Sequence, residues 1–440
     1  MAPAVPLPQP IVKEVPVMSL AKRAKIVALV LFAAVALASF VSAQAKVQLT
    51  MGSWRTDDVA NWNTILAAFN QKYPAITIKF DPTNPPDYNA TLRQQFEAGI
   101  APDLAFARTY DTGISMFKSG YFADVSDLPG LKNQYDSNAR APWADETGKS
   151  FAVPLAAVSH GVYYNVDMFK KYNIAIPTTW EEFLAVCKKL KDAGVTPLAN
   201  SLKDQWDINE VFLMSIAPNF IGGPEGRKAY ENGTRRFNDS QMVALFQAMK
   251  DVAQYCPKGF EALTYNDSSS IFATQQAAMY FDGSWSITNY KDVPFTWSVF
   301  APPPPRGMKP YVTFHIDAGL AMNAKTKFPK EARTFLQWVY SDAAADTIAN
   351  GLPTGFFPMA KNASKINEVH ANAFLQLNAG RGTDVRLTWP KLMTAPSGDI
   401  TGYNLFGQAT ISVMTGKMTP KEAADSVQTG LAVYYPPQMK

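Results

Sequence analysis

Apolar positions along the chain alternate between short strand-like runs and helical stripes. Residues 47–54 alternate and end in Gly52-Ser53-Trp54, as a strand would. Val59, Trp62, Ile65, Leu66 and Phe69 then recur at helical spacing, with Asp58 as a natural N-cap and Pro74 as the stop. A second strand is predicted over 76–80, a helix over 88–97 stopping at Gly99, and a third strand over 104–107 after Pro102. This β-α-β-α-β order implies a parallel sheet with helices on both faces.

Further along, an apolar run at 151–158 is followed by a polar break, Ser159-His160-Gly161, and a second apolar run at 162–166. Two in-line strands around a glycine break predict a chain passing from one packed unit into another. Thr178-x-x-Glu181 and Thr179-x-x-Glu182 are overlapping capping boxes ahead of the stripe Trp180, Phe183, Leu184, Cys187 and Leu190. Trp206-Asp207 precedes an apolar helix, and Asp239 opens another carrying Met242, Leu245, Phe246 and Met249. Residues 281–285 read as a strand ending in a glycine turn with Trp285 after it. A stiff proline-rich segment at 300–305 suggests a second crossing. A strand is expected over 314–323, a helix over 330–339, and mainly helix beyond 352.

The length of 440 residues exceeds one typical core and favours two domains. Lys22, Arg23 and Lys25, an apolar run over 26–41 and small residues to Ala45 have the order of a secretory signal peptide. Residues 1–45 are therefore read as leader, with Met18 a candidate true start, cleavage after Ala43 or Ala45, and no lipid-bearing cysteine following. Without them the chain carries 37 basic and 36 acidic residues, which gives no electrostatic case for nucleic acid. Export permits a Cys187–Cys256 bridge, but the position of Cys187 on an apolar stripe favours two buried thiols. Three histidines show no ligand spacing, and no zinc, nucleotide-phosphate or serine-hydrolase motif occurs, so no metal and no cofactor are expected.

In parallel α/β sheets, ligands bind beyond the carboxyl ends of the strands. Those ends lead here into Arg55-Thr56-Asp57-Asp58 and Arg108-Thr109-Tyr110-Asp111. Asp58 is expected chiefly to cap its helix, and Asp111 is open to the same reading. Arg55, Asp57, Arg108 and Tyr110 are open to either a ligand or a structural role. Trp54, Tyr110, Trp206 and Trp285 stand beside polar turn residues, the combination that suits the apolar faces and hydroxyl edges of sugar rings.

The chain resembles the family 1 extracellular solute-binding proteins of ABC importers, the maltose-binding-like group. The resemblance rests on the 97–104 segment with Gly99-x-x-Pro102-Asp103, on 163–169 followed by Pro177-x-Thr179-Trp180-x-Glu182, and on 276–279 with Gly283-Ser284-Trp285. It implies a type II periplasmic-binding-protein-like α/β fold: two lobes joined by hinge strands, with a sugar held between them. The expected division is 46–158 plus 301–345 for lobe 1, and 159–300 plus 346–440 for lobe 2. By the same resemblance the ligand contacts are Trp54, Arg55, Asp57, Arg108, Tyr110, Asp111, His160, Trp206, Asp282, Trp285, Asp317 and Tyr403. Ala107 stands where maltodextrin binders carry a bulky aromatic, which argues against long maltodextrins. Asp317 stands where relatives place glycine-rich backbone, either as a further hydroxyl-binding carboxylate or as a cap or hinge group. The implied function is that of a monomeric periplasmic component, not an enzyme, handing a carbohydrate to an inner-membrane permease. The charge of the ligand is open, with non-sugar or anionic cargo as the alternative and a secreted carbohydrate-active enzyme as a further one.

Overall fold

A computed structural model describes residues 46–84 and 87–439; the predicted signal peptide and its cleavage sites lie outside them. The first half begins with β1 (Val47–Ser53), α1 (Val59–Lys72), β2 (Ile76–Pro82), α2 (Tyr88–Glu97), β3 (Leu104–Ala107) and α3 (Tyr110–Lys118). β1 pairs in parallel with both β2 and β3, as the β-α-β-α-β reading requires. Asp103 of the Gly-x-x-Pro-Asp motif is a cross-brace. Its Oδ2 accepts from the Thr50 amide at 2.9 Å and the Thr50 hydroxyl at 3.1 Å, and its Oδ1 accepts from the Thr326 hydroxyl at 2.6 Å.

β4 (Val153–Asn165) then runs through Ser159-His160-Gly161 without interruption, so the predicted break is absent. What changes there is the pairing. β4 is followed by α4 (Val166–Lys171), α5 (Trp180–Asp192), β5 (Thr196–Leu198), a wide π-type turn over Asp207–Leu213, and α6 (Met214–Ile221). Next come α7 (Ser240–Ala253), α8 (Tyr265–Ala273), β6 (Ala277–Gly283), β7 (Trp297–Phe300) and β8 (Tyr311–Met322). α9 (Pro329–Val339), β9 (Phe357–Pro358), β10 (Gly382–Asp384), α10 (Gly402–Met414) and α11 (Pro420–Tyr434) follow, with shorter helices between the main elements. The part of β4 before His160 pairs with β8, whereas 160–165 pair with β6 and β7. β8 mirrors this: Tyr311–Thr313 pair with β10, and the rest pairs with β4 and β3.

The strand order β2-β1-β3-β8-β4-β6-β5 therefore joins two lobes through two long antiparallel strands. One core holds Leu49, Phe106, Trp143, Val153, Leu320 and Phe335; the others hold Val162, Phe183, Phe212, Phe281 and Phe406, and Tyr163, Tyr290 and Val312. Ala301 and Val312 pack with Tyr163 and Tyr290, Val312 where β8 starts on β10, and Ile348, Leu352 and Phe356 pack with Leu49 and Phe106.

The second and third recognition motifs are also scaffold. Thr179 and Glu182 form a reciprocal capping box on α5, while the Glu181 carboxylate accepts from the Arg306 amide instead of closing a second one. Asn165 caps α4 through the Met168 amide at 2.9 Å, and the Tyr163 hydroxyl donates to the Gly283 carbonyl at 2.8 Å. Asp239 caps α7 as predicted. Cys187 and Cys256 are both free thiols, Cys187 fully buried. Among the described residues, no helix is long and apolar enough to cross a membrane.

Candidate functional site

The strand-end loops of lobe 1 arrive where expected, but their polar groups turn on one another. Asp58 makes no side-chain cap, contrary to the expectation. Its carboxylate accepts from Arg55 Nε at 2.6 Å and Nη2 at 2.8 Å, because a buried carboxylate gains more from a guanidinium fork than from one amide. The Arg55 guanidinium also lies 5.0 Å over the Phe356 ring. Asp57 is exposed.

Trp54 departs from the picture of an open sugar platform. It is 4% exposed, with the Arg108 guanidinium 3.6 Å over its ring and Tyr88 and Phe106 against its edges. Arg108 is held close by Gly113, where a Cβ would come within 2.1 Å of the Arg108 carbonyl oxygen. A cavity of about 290 Å³, lined by Tyr88, Leu92, Arg93, Phe106, Arg108 and Met116 among others, lies wholly on lobe 1 residues. Ala107 is buried on β3 opposite Gly319.

Tyr110 and Asp111 sit at the junction of the lobes. Tyr110 opens α3 with φ 52°, and burial pushes its hydroxyl up to about 12 despite the opposing charge of Arg227, which belongs to lobe 2. Asp111 Oδ2 accepts from the Thr394 hydroxyl at 3.4 Å; burial raises its carboxyl to about 6, and Lys391 opposes that rise.

His160, expected to touch ligand, is enclosed by protein. On the uninterrupted β4 it is fully buried, with Nδ1 2.8 Å from the Ser215 hydroxyl and Nε2 3.2 Å from His315 Nε2. Burial, with Arg386 nearby, holds the imidazole well below its ordinary pKa, so it is a neutral hinge residue. Asp282 is likewise buried rather than open to the cleft. Its carboxyl accepts from the Tyr265 hydroxyl at 3.1 Å and the Gly283 amide at 2.7 Å, and burial lifts it to about 7. Asp317 is 7% exposed and stands 4.0 Å from His315 Nδ1.

Trp285 is half-buried. Its Nε1 donates to the Tyr265 hydroxyl at 3.1 Å, and its ring meets His160 edge-on. A Cβ on Gly283 would fall within 2.0 Å of this indole, which explains the Gly-x-Trp spacing: only glycine lets the ring fold back. Trp206 leans on Tyr265 at 4.7 Å. Tyr403 is half-buried beside Glu210, and its backbone carbonyl accepts from Asn209 at 2.8 Å.

Sequence reasoning missed Arg386, Trp389, Glu210 and Tyr265. Arg386 is 4% exposed; its Nη1 donates to Glu210 at 2.5 Å, and its guanidinium lies 4.4 Å over Trp389 and 5.5 Å over Trp285. Arg386 Nε and Trp389 Nε1 are buried without a protein partner. Burial lowers the guanidinium pKa even with Glu210 and Asp317 nearby, and Arg108 of lobe 1 is close enough to add to that lowering. Arg386 and Trp389 lie in an aperiodic stretch after β10, so no strand or helix pattern singles them out. Only the Arg-x-x-Trp spacing itself could have done so.

The two lobes, their shared hinge strands and the aromatic and guanidinium groups meeting between them define a solute-binding architecture. The profile of the bacterial extracellular solute-binding protein family matches residues 52–346, and the chain belongs to that family. It is 26% identical over 311 residues to the multiple sugar-binding protein of Streptococcus mutans, an alignment spanning 68% of this chain and 72% of that protein. To the melibiose/raffinose/stachyose-binding protein of Bacillus subtilis it is 25% identical over 237 residues, 52% of this chain and 53% of that one. The solved structure of a chitin oligosaccharide binding protein superposes with a TM-score of 0.76 at 21% identity, covering 89% of this chain and 99% of that one.

Proposed function

We propose that this protein is the carbohydrate-capturing component of an ABC importer, holding a mono- or oligosaccharide between its lobes and delivering it to an inner-membrane permease. The observation that carries this is the pair of indoles, Trp285 and Trp389, flanking a guanidinium whose Nε is unpartnered. Flat apolar surface beside free donors is what a pyranose ring requires. The sugar-binding relatives support the same reading. On this reading Trp285, Arg108, Tyr403 and Asp317 line the cleft with Trp206 and Asp57 at its rim, Tyr110 and Asp111 close against lobe 2, and Trp54, Arg55, His160 and Asp282 support the wall and hinge. The lobes divide as 46–158 with 314–356, and 159–313 with 357–440. The protein works as a periplasmic monomer exported by its signal peptide, makes and breaks no bonds, and binds no nucleic acid.

Ligand-biased closure would follow from contacts made by both lobes only in the closed state. Thermal-shift screening against mono- and oligosaccharides tests the reading, since a ligand at 100 times its Kd stabilises the folded state by about 2.7 kcal/mol. A panel in which only non-sugar solutes shift the melt overturns it. Turnover of a chromogenic glycoside by the purified protein would instead make it an enzyme.

A further inference from the structure

The cleft wall built around Arg386 has a charge pattern that goes beyond general sugar binding. We infer that Arg386 is the principal polar anchor of the ligand and that the ligand is an uncharged saccharide, gripped through a pair of hydroxyls. This rests on the carbohydrate reading above and narrows it.

A guanidinium offers five N–H donors in a fixed fork. Among the described residues, only Glu210 accepts from Arg386, although the residue is 4% exposed. Its Nε is sealed from solvent with nothing to accept from it. Leaving a buried donor unpaired costs stability, and a ligand hydroxyl that reaches this donor recovers that cost. Trp389 and Trp285 lie against the guanidinium and fix its plane, and the buried, unpartnered Trp389 Nε1 adds a second donor at the same wall.

The charges around this donor balance. Arg386 is bonded to Glu210, and the further charges close enough to act on it are Asp317 and Arg108. On the opposite loop Arg55 is matched by Asp58. His160 and His315 beneath the wall are kept neutral by burial. Asp282, whose carboxyl feels Arg386, can only add negative charge. Counted together, Arg386 and Arg108 are offset by Glu210 and Asp317, which leaves no net positive charge for a phosphate or a sugar carboxylate. Bringing such an anion into this partly desolvated wall would leave its charge uncompensated. A pair of neighbouring hydroxyls instead takes the free donors of Arg386 and gives its protons to Glu210 or Asp317. The arginine here is a hydrogen-bond fork, not an anion trap.

Calorimetry on the purified protein tests this with melibiose, raffinose, sucrose and chitobiose against galacturonate, glucose 6-phosphate and sn-glycerol 3-phosphate. The expected result is binding of a neutral sugar and none of the three anions. Because the site has no net charge to screen, that Kd changes less than about twofold between 20 and 500 mM NaCl. Arg386→Gln weakens it by roughly 30-fold or more, in line with losing charge-assisted bonds. Arg386→Gln combined with Glu210→Gln, which leaves no unpaired buried carboxylate, does the same with an unchanged near-ultraviolet circular dichroism spectrum. An anion binding more tightly than every neutral sugar, or a steep loss of affinity with salt, overturns the inference on the wild-type protein alone. A neutral sugar that binds the folded double variant as well as the wild type overturns the anchor role while sparing the carbohydrate reading. Failure of every saccharide overturns both.

Discussion

The two walls of the cleft are built on opposite plans. On lobe 1, Arg55 is locked to Asp58 through two bonds, while Arg108 lies 3.6 Å over the Trp54 ring and the Thr109 hydroxyl is buried without a partner, so the paired part of this wall is Arg55 with Asp58. On lobe 2, Arg386 has one bonded donor, and its Nε and the Trp389 Nε1 are buried without partners. A wall already paired internally contributes shape and stability. A wall with open donors contributes binding, because its unsatisfied groups are completed only by ligand. On the proposed reading this assigns affinity chiefly to the Arg386 wall and stiffness to the Arg55–Asp58 pair, and substitutions can break that assignment.

The largest effect on binding is expected at Trp285. Trp285→Ala removes the half-buried indole and should weaken saccharide binding by about 100-fold, equivalent to ~2.7 kcal/mol, while the unfolding midpoint stays near wild type. Retained affinity in calorimetry would take Trp285 out of the site. On lobe 1 the prediction is reversed. Arg55→Ala strands the Asp58 carboxylate, whose side chain is 5% exposed, and should lower stability by about 3 kcal/mol in denaturant titration. Its Kd should move less than about threefold, the scale expected where no ligand contact is lost. If affinity collapses and stability holds, the contrast between the lobes fails.

Next in size is a pH effect from Asp282. Its folded pKa of about 7 lies above the ordinary 3.8, so the fold favours the neutral carboxyl. The stability this contributes is complete below the ordinary carboxylate pKa and is lost as the pH rises through 7. Scanning calorimetry between pH 4 and pH 8 should show that loss in the wild type and a flatter profile in Asp282→Asn. Equal slopes would mean that Asp282 is not buried as described. The smallest effect is at a recognition motif: Thr179→Ala should cost about 1 kcal/mol of stability through the lost cap. It should leave Kd unchanged in the same calorimetric assay.

That last contrast separates recognition from binding more generally. Asp103 braces β1 to the end of β8, Thr179 and Glu182 cap α5, Asn165 caps α4, and Gly283 makes room for an indole. These residues carry the resemblance, and of them only the neighbouring Trp285 faces the proposed ligand. Such roles are local, set by a turn, a cap or a backbone angle, and so they leave short, fixed spacings in the sequence. Arg386 and Glu210 leave none, since an aperiodic segment and a π-type turn 176 positions apart bring them together.

The sequence by itself determined the class of fold, the parallel start of lobe 1, the helix caps at Asp239 and Thr179, and the existence of a crossing near residue 159. Each depends on periodicity or on interactions within a few residues. Only the tertiary structure decided that the crossing is one unbroken strand, since Ser159-His160-Gly161 looks like a break until β6 and β8 satisfy its backbone. It also decided that Asp58 serves Arg55 rather than its helix, that His160 is sealed beneath Trp285, and that Arg386 Nε is buried without a partner. Those outcomes are competitions between partners distant in sequence, and burial and geometry settle them only once the chain has folded.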